Sequence, residues 1–159
     1  MKVHLNQIPH DGLHVEGADP NTILDLQDEQ AREQVRPVGD IHYRLDVGLS
    51  EGGLFATGEI SADFDLECVT CLERFRFPLV LPAFACQVEL TGAELVDLTE
   101  PIREDILLAL PPHPHCDWNG EKVCSGAARV ARIHAAAADP LPQERDVWGA
   151  LDQLKTKKT

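Results

Sequence analysis

The chain has 159 residues, a mass of 17.5 kDa and a net charge of −13, with 43% apolar and 26% charged residues. That is enough for one compact domain and too little for two ordinary ones, and the balance excludes a disordered or collagen-like chain. No apolar run nears the ~18–20 residues a membrane-spanning helix needs, and the first residues, Met1 to Asn6, lack the apolar stretch of an export signal.

Val3 to Ile8 is predicted as a short first strand closed by Pro9. His10 to Pro20, broken by Gly12, Gly17 and Pro20, reads as loop or weakly extended chain. Asp28 to Val35 is expected to form a short polar helix ended by Pro37 and Gly39. Ile41, Tyr43, Leu45, Val47 and Leu49 then alternate with polar residues, the period of a strand with one buried face. Gly52 and Gly53 supply a turn, and Leu54 to Leu66 returns as the partner strand, with a bulge expected at Gly58.

Phe75, Phe77 and Leu79 alternate again, as do Phe84, Cys86, Val88 and Leu90. Pro78 and Pro82 make this stretch an edge strand or two strands with a kink. A helix is predicted from Thr99 as its N-cap, with Ile102, Ile106, Leu107 and Leu110 as the apolar stripe and Pro111-Pro112 as the stop. His113 to Gly126 is irregular, Ala127 to Ala138 has high helix propensity, and a last helix carries Val147, Trp148, Leu151 and Leu154. Strands first and helices after predict an α+β fold: a single domain, mainly an antiparallel sheet with C-terminal helices and a Cys-rich site. Residues 1–40 form its less regular part, 41–126 the sheet, helix and Cys-rich core, and 127–159 a helical extension.

Charge and cysteines carry the functional information. Residues 1–100 hold 6 Lys and Arg against 19 Asp and Glu, whereas residues 101–159 hold 8 of each. An acidic body repels phosphate backbones and suits either simple solvation or a basic protein partner. Cys68-Val69-Thr70-Cys71 brings two thiols within reach of one metal ion, and a redox dithiol uses the same spacing. Redox sites of this kind open a helix, but here an alternating strand pattern follows. Cys116 and Cys124 form a second pair beyond the predicted helix, with 44 residues between Cys71 and Cys116, and the four cysteines are expected to share one metal ion rather than to be separate small thiols. His113 and His115 are alternative ligands or simply exposed imidazoles in a Pro-rich loop. Cys86 shares a strand face with Phe84 and Val88 and is expected to be a core thiol.

With four protein ligands no position remains for a reacting water, so structural zinc is the expected cofactor and an enzyme is not. No Gly-rich phosphate loop, G-x-S-x-G elbow or H-E-x-x-H motif occurs. Trp148 either docks the last helix on the sheet or anchors a partner, and Lys155, Lys157 and Lys158 are a solvated end or an RNA-proximal tail.

The run Asp65-Leu66-Glu67-Cys68-Val69-Thr70-Cys71-Leu72-Glu73-Arg74-Phe75 resembles the strand and C-x-x-C-L-x-x-F signature of the YceD-like large ribosomal RNA subunit accumulation proteins. Val96-Asp97-Leu98 and the helix through Leu110-Pro111 are similar to a second signature of that family, after which a Cys or His pair follows; Cys116 and Cys124 stand in comparable places. Val147 to Lys155 resembles the short helix that ends many members. The resemblance implies a cytoplasmic, non-enzymatic ribosome biogenesis factor supporting accumulation or processing of large-subunit (23S) rRNA. With the charge distribution it implies a basic ribosomal protein or assembly factor as partner, on a pre-large-subunit rRNA particle, with no membrane and no small-molecule substrate. The alternative is a redox-active or metal-handling C-x-x-C protein.

Overall fold

The computed structural model describes residues 1–26, 33–50, 52–90, 92, 94–126 and 131–132. Strand β1 (Lys2–His4) is followed by β2 (Leu13–Asp19), β3 (Val35–Ser50), β4 (Gly53–Glu67), β5 (Arg74–Glu89) and β6 (Leu95–Asp97), and then by helix α1 (Thr99–Ala109). The four strands β2-β3-β4-β5 lie side by side in that order, all antiparallel, and β1 pairs antiparallel with β6 in a second, two-stranded sheet. This is the antiparallel α+β arrangement expected. The helices expected in 127–159 lie outside the described residues apart from 131–132, as does most of the polar helix expected over Asp28 to Val35.

The period-two pattern of β4 sets the core. Leu54, Ala56, Ile60, Ala62, Phe64 and Leu66 are all buried on one face, each large side chain contributing about 1.5–3 kcal/mol over an exposed position. Ile41, Leu45 and Val47 of β3 and Leu79 and Phe84 of β5 extend that face, and Ile102 and Ile106 of α1 close over it with Leu24, Val3 and Val96. Leu110 packs on the same cluster, while Leu107, expected in the stripe, stays outside it and Leu108 faces water. Arg103 fixes the helix to the chain before β3, donating from Nε to the Leu24 carbonyl at 2.9 Å.

A bulge is present beside Gly58, but the extra residue lies in β5 rather than in β4. Gly58 faces Phe84 but Ile60 faces Leu81, so Pro82 and Ala83 stand opposite the single Glu59. The inward row of β5 thereby changes from odd to even positions, and the two alternating sets join in one kinked strand. Gly58 has φ +153, and the Arg44 carbonyl occupies the space a Cβ would need. β5 is the outermost strand, where Pro78 and Pro82 are tolerated.

Four expectations are corrected. The first strand ends at His4, because Leu5–Gln7 wind into a 3₁₀ turn. Residues 13–19, read as loop or weakly extended chain, are a fully paired edge strand, β2, from Leu13↔Val47 to Asp19↔Ile41. β3 begins at Val35 rather than Ile41 and runs through Pro37 and Gly39, with a register shift between Val38 and His42 absorbing the irregularity. Thr99 is the first helical residue, not the cap: Leu98 holds the N-cap position and the Asp97 carboxylate accepts the Thr99 N–H at 2.9 Å. The Thr99 hydroxyl instead accepts from the Met1 ammonium at 2.7 Å, an ammonium that also lies 2.5 Å from Asp19.

Candidate metal centre

The β4–β5 connection builds the first half of the site. Glu67↔Arg74 is the last cross-strand pair, and the Cys68 N–H continues the ladder to the Glu73 carbonyl at 3.0 Å. Inside that bond the chain makes a tight turn, the Leu72 N–H reaching back to the Cys68 carbonyl at 2.9 Å while Leu72 takes φ +62. Cys68 and Cys71 are therefore aimed into one space by backbone geometry alone.

The second half arrives from α1. Leu110 is extended, Pro111-Pro112 prevents continuation, and the following chain crosses to the β4–β5 end, where the Val69 N–H bonds the Pro114 carbonyl at 2.9 Å. Two turns, Trp118 N–H to His115 carbonyl at 3.2 Å and Gly120 N–H to Asp117 carbonyl at 3.0 Å, then lead the chain around to Cys124. Lys122 pairs with Glu73 at 3.1 Å, latching this loop to the first.

All four sulfurs, of Cys68, Cys71, Cys116 and Cys124, lie within 4.8 Å of one another. The closest pairs join the two halves: Cys68 to Cys124 at 3.8 Å and Cys71 to Cys116 at 3.7 Å. A tetrahedral centre with Zn–S bonds of ~2.3 Å has sulfur–sulfur edges of about 3.8 Å. The cluster therefore has the size and donor set of a four-thiolate metal site. Cys68, Cys116 and Cys124 are buried and Cys71 is half-buried, with Phe75 packed alongside.

The thiols do not ionise alike. At Cys68 burial opposes the thiolate, but N–H groups of Cys71, Cys116 and Thr70 and the Cys71 thiol outweigh it and bring the pKa down to about 6. At Cys116 burial, the neighbouring thiols and the charge on Cys68 push the pKa up to about 12. Two like charges ~4 Å apart repel by about 4 kcal/mol at an effective dielectric near 20, so one thiolate forms readily and a second resists. A bound cation would reverse that balance, so the cluster could hold a metal ion.

The four cysteines singled out by their spacing are thus brought together. Neither histidine joins them: His115 Nδ1 lies 3.3 Å from the Thr70 hydroxyl, both His113 and His115 are exposed, and the cluster that could hold a metal contains only cysteines. Cys86 lies away from the cluster, half-buried against the main core, where burial raises its pKa. Trp148, Lys155, Lys157 and Lys158 lie outside the described residues.

Two contributors escaped the sequence reading. Gly126 is buried, and a Cβ there would sit 2.5 Å from the Thr70 carbonyl oxygen, so the chain after Cys124 packs directly on the turn between Cys68 and Cys71. Trp118 meets Phe77 of β5 edge to face, with centroids 5.0 Å apart, tying the second loop to the sheet.

On the face of the sheet opposite the core, acids outnumber bases. Arg76 answers Asp63 and Asp65, and Arg44 answers Glu16, whereas Glu59, Glu67 and Glu89 have no ion-pair partner among the described residues. No described helix is long and apolar enough to cross a membrane. No protein-family model, curated protein or solved structure matches this chain.

Proposed function

We propose that this chain is a non-enzymatic ribosome assembly factor that supports accumulation of large-subunit rRNA, holding a basic ribosomal or assembly protein, with one structural zinc ion on Cys68, Cys71, Cys116 and Cys124. The observation that carries the reading is that the two stretches resembling the YceD-like signatures form one unit. The first supplies the turn with Cys68 and Cys71; the second supplies β6 and α1 and hands the chain on to Cys116 and Cys124. Four sulfur donors suit zinc or iron, and zinc needs no redox partner. With every tetrahedral position taken by cysteine, the ion welds the β4–β5 turn to the loop after α1 and leaves no site for a reacting water.

The partner is read from charge. Excess acid on the open sheet face and a net −13 over residues 1–100 favour a basic protein over bare rRNA. Depletion followed by sucrose-gradient analysis tests the reading. Large-subunit rRNA is expected to fall relative to small-subunit rRNA, with the tagged protein sedimenting on a pre-large-subunit particle. Unchanged subunit ratios, with the protein only at the top of the gradient, refute it.

The C-x-x-C spacing of Cys68 and Cys71 supports a second reading, thiol redox work. Alkylation separates the two: thiols shielded only while metal is bound support the structural role, and rapid modification of Cys68 in the loaded protein supports the redox one.

A further inference from the structure

Each cysteine of the cluster has a large, exposed apolar side chain one or two residues away. Val69 follows Cys68, Leu72 follows Cys71, Val123 precedes Cys124 and Trp118 lies two beyond Cys116. Their exposures are 49% for Val69, 70% for Leu72, 87% for Val123 and 46% for Trp118. Four of the nine exposed large apolar residues among the described ones thus ride on a single six-residue turn and the loop latched to it. Single exposed apolar side chains need no explanation, but a concentration of them marks a contact surface.

Backbone geometry supplies an independent observation. Leu72 holds φ +62, a conformation that glycine adopts freely and a leucine only at a cost. Its side chain is mostly in water, so the fold gains little from leucine there. A strained residue presenting an apolar group to solvent is the kind of outlier that points to function.

Charge selects the occupant. Glu67 lies beside Cys68, and Asp117 and Glu121 lie on the second loop; all three lack an ion-pair partner among the described residues. Lys122 is committed to Glu73, and Arg74 donates to the Glu33 carbonyl. An apolar tip with acids that no cation neutralises around it complements a segment bearing large apolar side chains among lysines and arginines, and it repels a phosphate backbone. We propose that this cysteine-held tip, with Leu72 and Val123 as its anchors, is where the chain grips a basic protein. The inference rests on the assembly-factor reading for its partner class and adds the place of contact, which is the tip rather than the open face of the sheet.

The test uses a panel of purified basic large-subunit ribosomal proteins as probes, with binding followed by fluorescence anisotropy. The full chain is compared with Leu72→Gly, with Val123→Ser and with a sheet-face variant, Thr57→Lys. Metal content and Tm are recorded for each. Leu72→Gly relieves the strained turn, so it is expected to keep its metal and melt no lower than the wild type while binding at least tenfold more weakly. Stability and binding then move apart, which a purely structural role for Leu72 does not produce. Val123→Ser is expected to weaken binding similarly and Thr57→Lys by less than threefold. Should Val123→Ser shed its metal, Leu72→Gly alone decides. Full binding by Leu72→Gly with loss in Thr57→Lys overturns the tip and leaves the basic-partner reading standing. No binding of any panel member by the wild type overturns both. A labelled rRNA fragment that binds in place of the proteins, and depends on Leu72, overturns the choice of a protein occupant.

Discussion

Replacing Gly126 by alanine separates a metal centre built by close packing from four cysteines that merely lie near one another. The added Cβ would stand 2.5 Å from the Thr70 carbonyl oxygen and 2.7 Å from its carbon, whereas ordinary contact begins at 3.4 Å. The two halves of the site must separate by about 0.9 Å to admit it, set against a tolerance of about 0.2 Å in metal–ligand distances. Thr70 cannot yield alone, because Cys68 and Cys71 flank it and the Val69 N–H is bonded to Pro114. Overpacking of this kind costs ~1–3 kcal/mol, equivalent to a roughly 5- to 150-fold loss of metal affinity if it is felt mainly in the loaded state. Zinc competition against a chromophoric chelator measures the affinity, and thermal melting measures the fold. Gly52→Ala is the comparator: it imposes a positive φ of +81 on alanine at the distant β3–β4 hairpin, in open space, and should lower Tm without changing metal affinity. Equal affinities for Gly126→Ala and wild type, or equal losses in both variants, would refute the packing argument.

Further predictions concern the scaffold. Cys86→Ser is expected to retain the full metal complement and melt only slightly lower, since Cys86 belongs to the main core; metal loss on atomic-emission analysis would contradict its placement. Gly58→Ala should lower stability by more than ~1 kcal/mol in urea titration, because alanine neither suits φ +153 nor fits against the Arg44 carbonyl. At Asp97 burial opposes the carboxylate, but the Thr99 hydroxyl and N–H outweigh it and hold its pKa below the usual 3.8. A lowered pKa means stability present above the unfolded value and lost as pH falls through the folded one. Asp97→Asn should therefore flatten the decline in stability below about pH 4, at a cost near ~1 kcal/mol at neutral pH, and an unchanged acid limb would remove the carboxylate from the cap.

How much of this was legible follows from which interactions are local. The β3–β4 hairpin and the buried row of β4 were readable because alternation reports burial directly. The kink in β5 was readable because Pro82 coincides with the change of inward row. β2 was hidden by Gly17, which interrupts the apolar row where the Tyr43 ring lies across the strand; a Cβ there would meet the Tyr43 hydroxyl oxygen at 2.7 Å. The first third of β3 was hidden by Pro37 and Gly39, helix stops in isolation, which a register shift accommodates. The capping role of Asp97 was missed because Thr99 is the better cap by residue type, and only the path of the chain shows that its hydroxyl faces the Met1 ammonium. The four cysteines were found from their two spacings. Their exclusion of His115, and the roles of Gly126 and Trp118, depend on how α1 returns the chain to the β4–β5 turn, and no short-range pattern encodes that.

Metal analysis of the purified full chain tests the central claim most directly. The account predicts one zinc ion per chain, lost on replacing Cys71 or Cys116 by serine and retained on replacing His115 by alanine. A folded wild-type chain without metal contradicts it, and bound iron in place of zinc refutes the assignment of the ion while leaving the four-cysteine centre standing.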